Sequence, residues 1–288
     1  MKRIKAVIIL AFSFTTGFAS NPDSTLVHNV KKFIVNETGF ALDKSFYATW
    51  SKSEMPMVVV YVSLCDKVRG IDNHASRYSG FNEDFAKTLA SFHESEGHHA
   101  FIYKTYATSI AELNNRFISY SNESKCFIIL HEFIHHFRRD LGLAVPYEYE
   151  EALADVVGNY GTMEFNKTYS SLDPKILKSQ KFRNEKIYKI INKTTVAINS
   201  KPEKVDMLNS KCQKDIKKLL SDGDSFQKDR FAYTVNNGYV LKNRFYSEKY
   251  FLLQRLFQKS GTLSTFLNIF KDCPQDSKVF EAYLNNLL

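Results

Sequence analysis

Cys126-Phe127-Ile128-Ile129-Leu130-His131-Glu132-Phe133-Ile134-His135-His136-Phe137 sets three histidines and a glutamate in an otherwise apolar run. A helix apolar on nearly every side is a buried one, and imidazoles or carboxylates buried with it need a compensating partner. His131 and His135 are four residues apart. At 3.6 residues per turn they share one face, so two ring nitrogens can reach a single metal ion from a rigid support. Glu132 lies beside that face, where a carboxylate can act as general base without becoming a ligand. Chance would put a His-Glu-x-x-His match in about one chain in a hundred of this length and composition. Histidines satisfied by core hydrogen bonds are the plainer alternative. His136 is rotated about 100° from His135 and is expected to pack or to face a cleft wall.

A second stretch, Tyr147-Glu148-Tyr149-Glu150-Glu151-Ala152-Leu153-Ala154-Asp155-Val156-Val157-Gly158-Asn159-Tyr160-Gly161, follows a short link stopped by Gly142 and Pro146. Glu151 and Asp155 share a helical face and can fold back against the first helix. Glu151 then completes a two-His, one-carboxylate set for Zn2+, leaving a fourth position open. Asp155 can take a hydrogen bond from the outer nitrogen of a ligating histidine and fix its orientation. Glu148 and Glu150 are also in range. Glu148 stands near the helix start, and Glu150 has Ala154 where Glu151 has Asp155, so Glu151 is preferred as ligand. An acidic, solvated helix start would otherwise account for all three glutamates.

The first twenty residues have a positive start (Lys2, Arg3, Lys5), an apolar run from Ala6 to Phe14 and a small-residue exit at Gly17 to Ser20. That is the pattern of a signal peptide, cleaved after Ala19 or Ser20, and it places the protein in the periplasm or outside the cell with no stable membrane insertion afterwards. Loss of residues 1–20 lowers the formal net charge from +8 to +5. The lysines of the later helices are interleaved with acids, which reads as a solvated exterior and not as a nucleic-acid surface. Cys65, Cys126, Cys212 and Cys273 allow three pairings, and an early and a late disulfide are expected in an oxidising compartment, against free buried thiols. Sequons stand at Asn36, Asn122, Asn166 and Asn192.

In chain order, Ser24 to Val35 has helical spacing, and Met57 to Leu64 is a β-branched run suited to a central strand. Asp66 to Gly80 reads as a turn-rich loop. Its Asp66, Asp72 and Asn73 do not match calcium-loop spacing. Asn82 to Glu96 predicts an amphipathic helix closed by Gly97, and Ala100 to Tyr106 a second strand, with His98 and His99 as exposed turn residues. Strand, helix and strand make an α/β unit. Ser109 and Glu112 have the spacing of a capping box that opens a helix to about Ser119. Beyond Met163 the chain reads as helices: Lys175 to Asn199 and Glu203 to Leu220 as a lysine-rich outer layer, Tyr239 to Phe257 more buried, then Leu263 to Phe270 and Val279 to Leu288. The expected division is a signal segment 1–20, a metal-bearing α/β part 21–165 and a helical part 166–288.

His131-Glu132-x-x-His135 followed by Glu151-x-x-x-Asp155 resembles the signature of the gluzincin metallopeptidases, and Glu151-Ala-Leu-Ala-Asp155-Val-Val-Gly158 is similar to the corresponding helix of the thermolysin-like enzymes. More narrowly, the strand end Tyr106-Ala107-Thr108-Ser109 and the helix end Val157-Gly158-Asn159-Tyr160-Gly161 resemble a group of bacterial aminopeptidases of gluzincin type. The likeness covers roughly residues 100 to 165. It implies a zincin-like α+β fold with a small N-terminal sheet, the metal helix in the centre and a mostly helical second half. It further implies zinc held by His131, His135 and Glu151, Glu132 as base, Asp155 in support, a peptide or protein substrate, and an edge strand (Ala100 to Tyr106) that lays substrate along the cleft. One departure stands out: no histidine follows His136, so a tyrosine or arginine must stabilise the oxyanion, with Tyr147, Tyr149, Tyr160, Tyr233, Tyr239, Arg244 and Tyr246 as candidates. The rival expectations are a binding protein that retains zinc without proteolysis and a regulatory protein whose helical half recognises a partner.

Overall fold

A computed structural model of the chain describes residues 22–44, 46–48, 56–71, 76–105, 113–140, 145–274 and 276–288. The N-terminal segment, Trp50, Asp72 and Asn73, the stretch from Tyr106 to Glu112, and Gly142 lie outside the described residues. The fold is mixed α+β. A small antiparallel sheet is made of β1 (Met57–Leu64), β2 (Ser76–Gly80) and β3 (His98–Thr105) in the order β2-β1-β3, and helices make up most of the rest. The β-branched run does form the central strand. Its alternation divides the sheet: Val58, Val60 and Val62 pack on Ala86 and Ala90 of α2 (Glu83–Ser95), whereas Met57, Val59 and Tyr61 face the other way, toward the helices. Three sequence expectations are corrected here. Ser76–Gly80, inside the expected loop, is a strand held to β1 by backbone pairing, which needs no apolar pattern. His98 and His99 are half-buried at the start of β3, and the backbone N–H of Asn237 donates to His99 Nδ1 at 3.3 Å. Leu113 and Asn114 are not helical, so among the described residues the helix before the metal stretch is Asn115–Ile118 (α3), capped by Asn114, while the expected capping box at Ser109 and Glu112 lies outside them.

The centre of the molecule is α4 (Asn122–Asp140), buried from Glu123 to Ile134, packed against α5 (Tyr147–Tyr169). Two glycines let the helices approach. A Cβ at Gly158 would stand 2.7 Å from the Phe127 ring, and one at Gly161 3.4 Å from Leu130. The expected boundary at residue 165 falls inside α5, and one buried apolar cluster runs from Leu26 of α1 (Pro22–Thr38) to Leu284 of the last helix. Asp173 caps α6 (Pro174–Ser200), which pairs with α7 (Val205–Leu220). Beyond lie α8 (Ser225–Phe231), α9 (Asn237–Ser247), α10 (Tyr250–Ser260), α11 (Leu263–Asn268) and α12 (Ser277–Asn286). The expected disulfides are absent: all four cysteines are free thiols. Cys126 is locked inside the core on α4 whereas Cys65 is exposed past the end of β1, and Cys273 Sγ donates to the carbonyl of Phe270.

Candidate metal centre

Because α4 and α5 lie so close, residues one turn apart on each meet across the contact. His131, His135 and Glu151 each offer a ligand atom, and these atoms lie within 4.8 Å of one another. Glu151 Oε2 is 3.5 Å from His131 Nε2 and 3.9 Å from His135 Nε2. The outer nitrogen of each ring is held by a carboxylate. His135 Nδ1 donates to Glu150 Oε1 at 2.8 Å; since a carboxylate only accepts, the proton belongs on Nδ1 and Nε2 is left with its lone pair. His131 Nδ1 stands 2.8 Å from Asp155 Oδ1, bent away from ideal hydrogen-bond geometry, yet close enough in a buried site for charge attraction to fix the ring. Behind each carboxylate stands an arginine: Arg138 on Glu150 at 2.8 Å and Arg230 on Asp155 at 2.6 Å. The Tyr188 hydroxyl also donates to Asp155.

With both outer nitrogens protonated, three lone-pair atoms converge and Glu151 Oε2 is buried without a hydrogen-bond partner. Such an arrangement favours a cation among the three atoms. Two ligands of a tetrahedral zinc stand about 3.4 Å apart, a little less than the separations here, and two imidazoles with one carboxylate form a zinc donor set. The residues therefore fit the ion. Without metal the same cluster holds a proton. Burial alone would depress His131, but Asp155 and Glu151 push it up to about 10. Burial would raise Glu151, and His135 with His131 bring it down to about 2. Burial dominates at Glu132 and raises its carboxyl.

Compared with known protein families, curated proteins and solved structures, the chain matches none.

Glu132 lines the same cleft, a cavity of about 410 Å³. One wall is the sheet, with Met57, Val59 and Tyr61 of β1 and Tyr103 and Thr105 of the edge strand β3; the other is helical, with Phe127, Phe226, Arg230 and Tyr246. Of the tyrosines and arginine considered from sequence for the oxyanion, Tyr147 and Tyr246 line the cleft. Tyr149 packs on Phe280, Tyr160 accepts from Gln254, Tyr233 packs on Phe101, Tyr239 donates to the Phe231 carbonyl and Arg244 binds Glu248. His136 is buried edge-on to Phe46. Arg230 went unnoticed in the sequence, being 75 residues beyond Asp155 on a seven-residue helix. That helix is fixed by Asp229, which takes Arg116 and the Tyr120 hydroxyl, and by Asp224, which accepts from Ser124 at 2.7 Å. Fully buried Lys242 lies 3.9 Å from the Tyr103 ring centroid and 4.4 Å from that of Tyr246, and burial followed by Arg230 drives its ammonium well below the ordinary lysine range. It lies between the tyrosines of the two walls.

Proposed function

We propose that the protein is a zinc-dependent peptidase of gluzincin type that hydrolyses peptide bonds with Glu132 as general base. The observation that carries this reading is the convergence of His131, His135 and Glu151 in an open cleft with a second carboxylate, Glu132, beside them. A purely structural zinc site usually has four protein ligands and needs no base. When bound, the zinc supplies a Lewis acid for the scissile carbonyl and acidifies water at the site. The protein's part is positional. Asp155 and Glu150 hold the imidazoles, and Arg138 and Arg230 hold those carboxylates in turn. Glu132 takes a proton from the attacking water and returns it to the leaving amine; its raised proton affinity brings it nearer to neutral pH, where such transfers are most effective. Edge strand β3 runs beside the site and is the natural place for an extended substrate backbone to pair. Tyr147, Tyr246 and Arg230 line the cleft, and on this reading the oxyanion falls to them.

The test is to load the purified protein with zinc, incubate it with a mixed peptide library and read cleavage positions by mass spectrometry. New termini that vanish with a chelator and return with zinc are expected, and their positions separate amino-terminal trimming from internal cutting. Stoichiometric zinc with no cleavage across the library would instead assign the site to a binding protein.

A further inference from the structure

The formal charge is unevenly placed. Residues 174–220 contain thirteen Lys and Arg against four Asp and Glu, a net of +9, so with +8 over the whole chain all other residues together are net −1. These residues are the α6–α7 hairpin. In sequence a few acids are interleaved with the lysines, but in space most of the lysines gather on one side. Lys175, Lys178, Lys186, Lys189 and Lys193 of α6 are all exposed, and at 100° per residue they fall within an arc of about 80°. The outward side of α7 adds Lys211, Lys214, Lys217 and Lys218. Of the acids, Glu185 is half-buried and bound by Lys181 at 2.8 Å, Asp215 is half-buried, Glu203 stands at the link between the helices and Asp206 is in the first turn of α7. Among the described residues none of these nine lysines has an ion pair. Like charges crowded on adjacent helices repel, and an anionic partner relieves that repulsion.

We propose that this hairpin docks on an anionic lipid bilayer surface. The charge sets the sign of the partner, and three apolar side chains select its kind. Phe182 is 55% exposed in the middle of the α6 lysine arc, Val196 is 67% exposed at its edge, and Met207 is 58% exposed on the lysine side of α7. Apolar side chains gain nothing against a phosphodiester backbone. At a membrane surface they enter between headgroups, while the lysine stems lie along the interface with their ammonium groups at phosphate level. The association is peripheral, because no described helix is long and apolar enough to cross a membrane. Tyr188, which reaches Asp155 behind the metal cluster, is on the buried inner side of α6, and no residue of α6 or α7 lines the cleft.

Co-sedimentation with vesicles tests this. The protein should bind vesicles of equal parts phosphatidylglycerol and phosphatidylcholine, ignore pure phosphatidylcholine, and lose most binding as salt rises from about 0.05 to about 0.5 M. Replacing the five α6 lysines by glutamine should weaken binding at least ~30-fold, and Phe182→Ser about 5-fold. Both changes are on the surface, and circular dichroism should show an unchanged fold. The N-terminal residues are common to all forms and cancel in the comparison. Failure of the protein to bind anionic vesicles, or equal binding by the five-lysine variant, would overturn the proposal. So would tighter binding to double-stranded DNA than to vesicles, abolished by the same five substitutions, which would assign the hairpin to nucleic acid.

Discussion

Glu132 is 6% exposed and is drawn toward its neutral form by burial, a position that a stable core would give to a leucine. Its replacement by glutamine keeps volume and burial while removing the base. We expect Glu132→Gln to lower peptide turnover by ~10² to 10⁴ with zinc content unchanged by emission spectroscopy; activity retained in the zinc-loaded variant would eliminate Glu132 as the base. The adjacent pair Glu150 and Glu151 separates ligand from support. Glu151→Ala removes one of three donors and should leave no zinc after dialysis, whereas Glu150→Ala frees His135 Nδ1 and should weaken zinc by about 10- to 100-fold. Equal losses would show that the two carboxylates are not in these separate roles. Four residues of this cluster were legible in the sequence, because His131/His135 and Glu151/Asp155 are each one turn apart. The support given by Glu150 was not. It depends on where the outer nitrogen of His135 points, which is set by the angle between two helices and not by spacing along either.

Between elements, the α4–α5 contact decides the geometry of the site, and Gly158 decides the contact. Phe127 lies against Gly158, stacks at 5.9 Å on the His131 ring and lines the cleft. An added methyl must move that ring by some tenths of an ångström or push the helices apart. Overpacking of this kind costs about 1–3 kcal/mol, and replacing a helical glycine by alanine returns about 1 kcal/mol. Gly158→Ala should therefore destabilise by roughly 0–2 kcal/mol in a urea titration, yet lower zinc affinity clearly, because the displaced ring stacks on His131. Unaltered zinc binding would show that Phe127 does not set the histidine position. The long elements were readable where a single pattern dominates: the β-branched run of β1, and Asp173-Pro174 opening α6. Strand β2 and helix α8 were not, because Ser76–Gly80 is held by backbone pairing and the seven residues of α8 span too few turns for a periodic signal.

At the scale of the whole molecule, the metal cluster is a place where stability, protons and zinc are coupled. His131 is held near 10 against about 6.5 unfolded, so without metal it stabilises the fold fully below pH ~6.5, and this fades as pH rises toward 10. Glu151 is held near 2, so its contribution is full above pH ~4.3 and fades as pH falls toward 2. Metal-free protein should thus be most stable between about pH 4.5 and 6.5. Zinc requires the imidazole nitrogen that the proton occupies, and each proton displaced raises apparent zinc affinity about tenfold per pH unit. Bound zinc in hundredfold excess over its Kd adds about 2.7 kcal/mol, so as pH rises the ion takes over from the proton as the cation that the three donors require. The difference in melting temperature between zinc-loaded and chelator-treated protein should widen steadily from pH 6 to 9. A gap that stays constant across that range would mean that zinc binds without displacing protons from His131. Then the convergence of lone pairs on Glu151 Oε2 would not be what holds the ion.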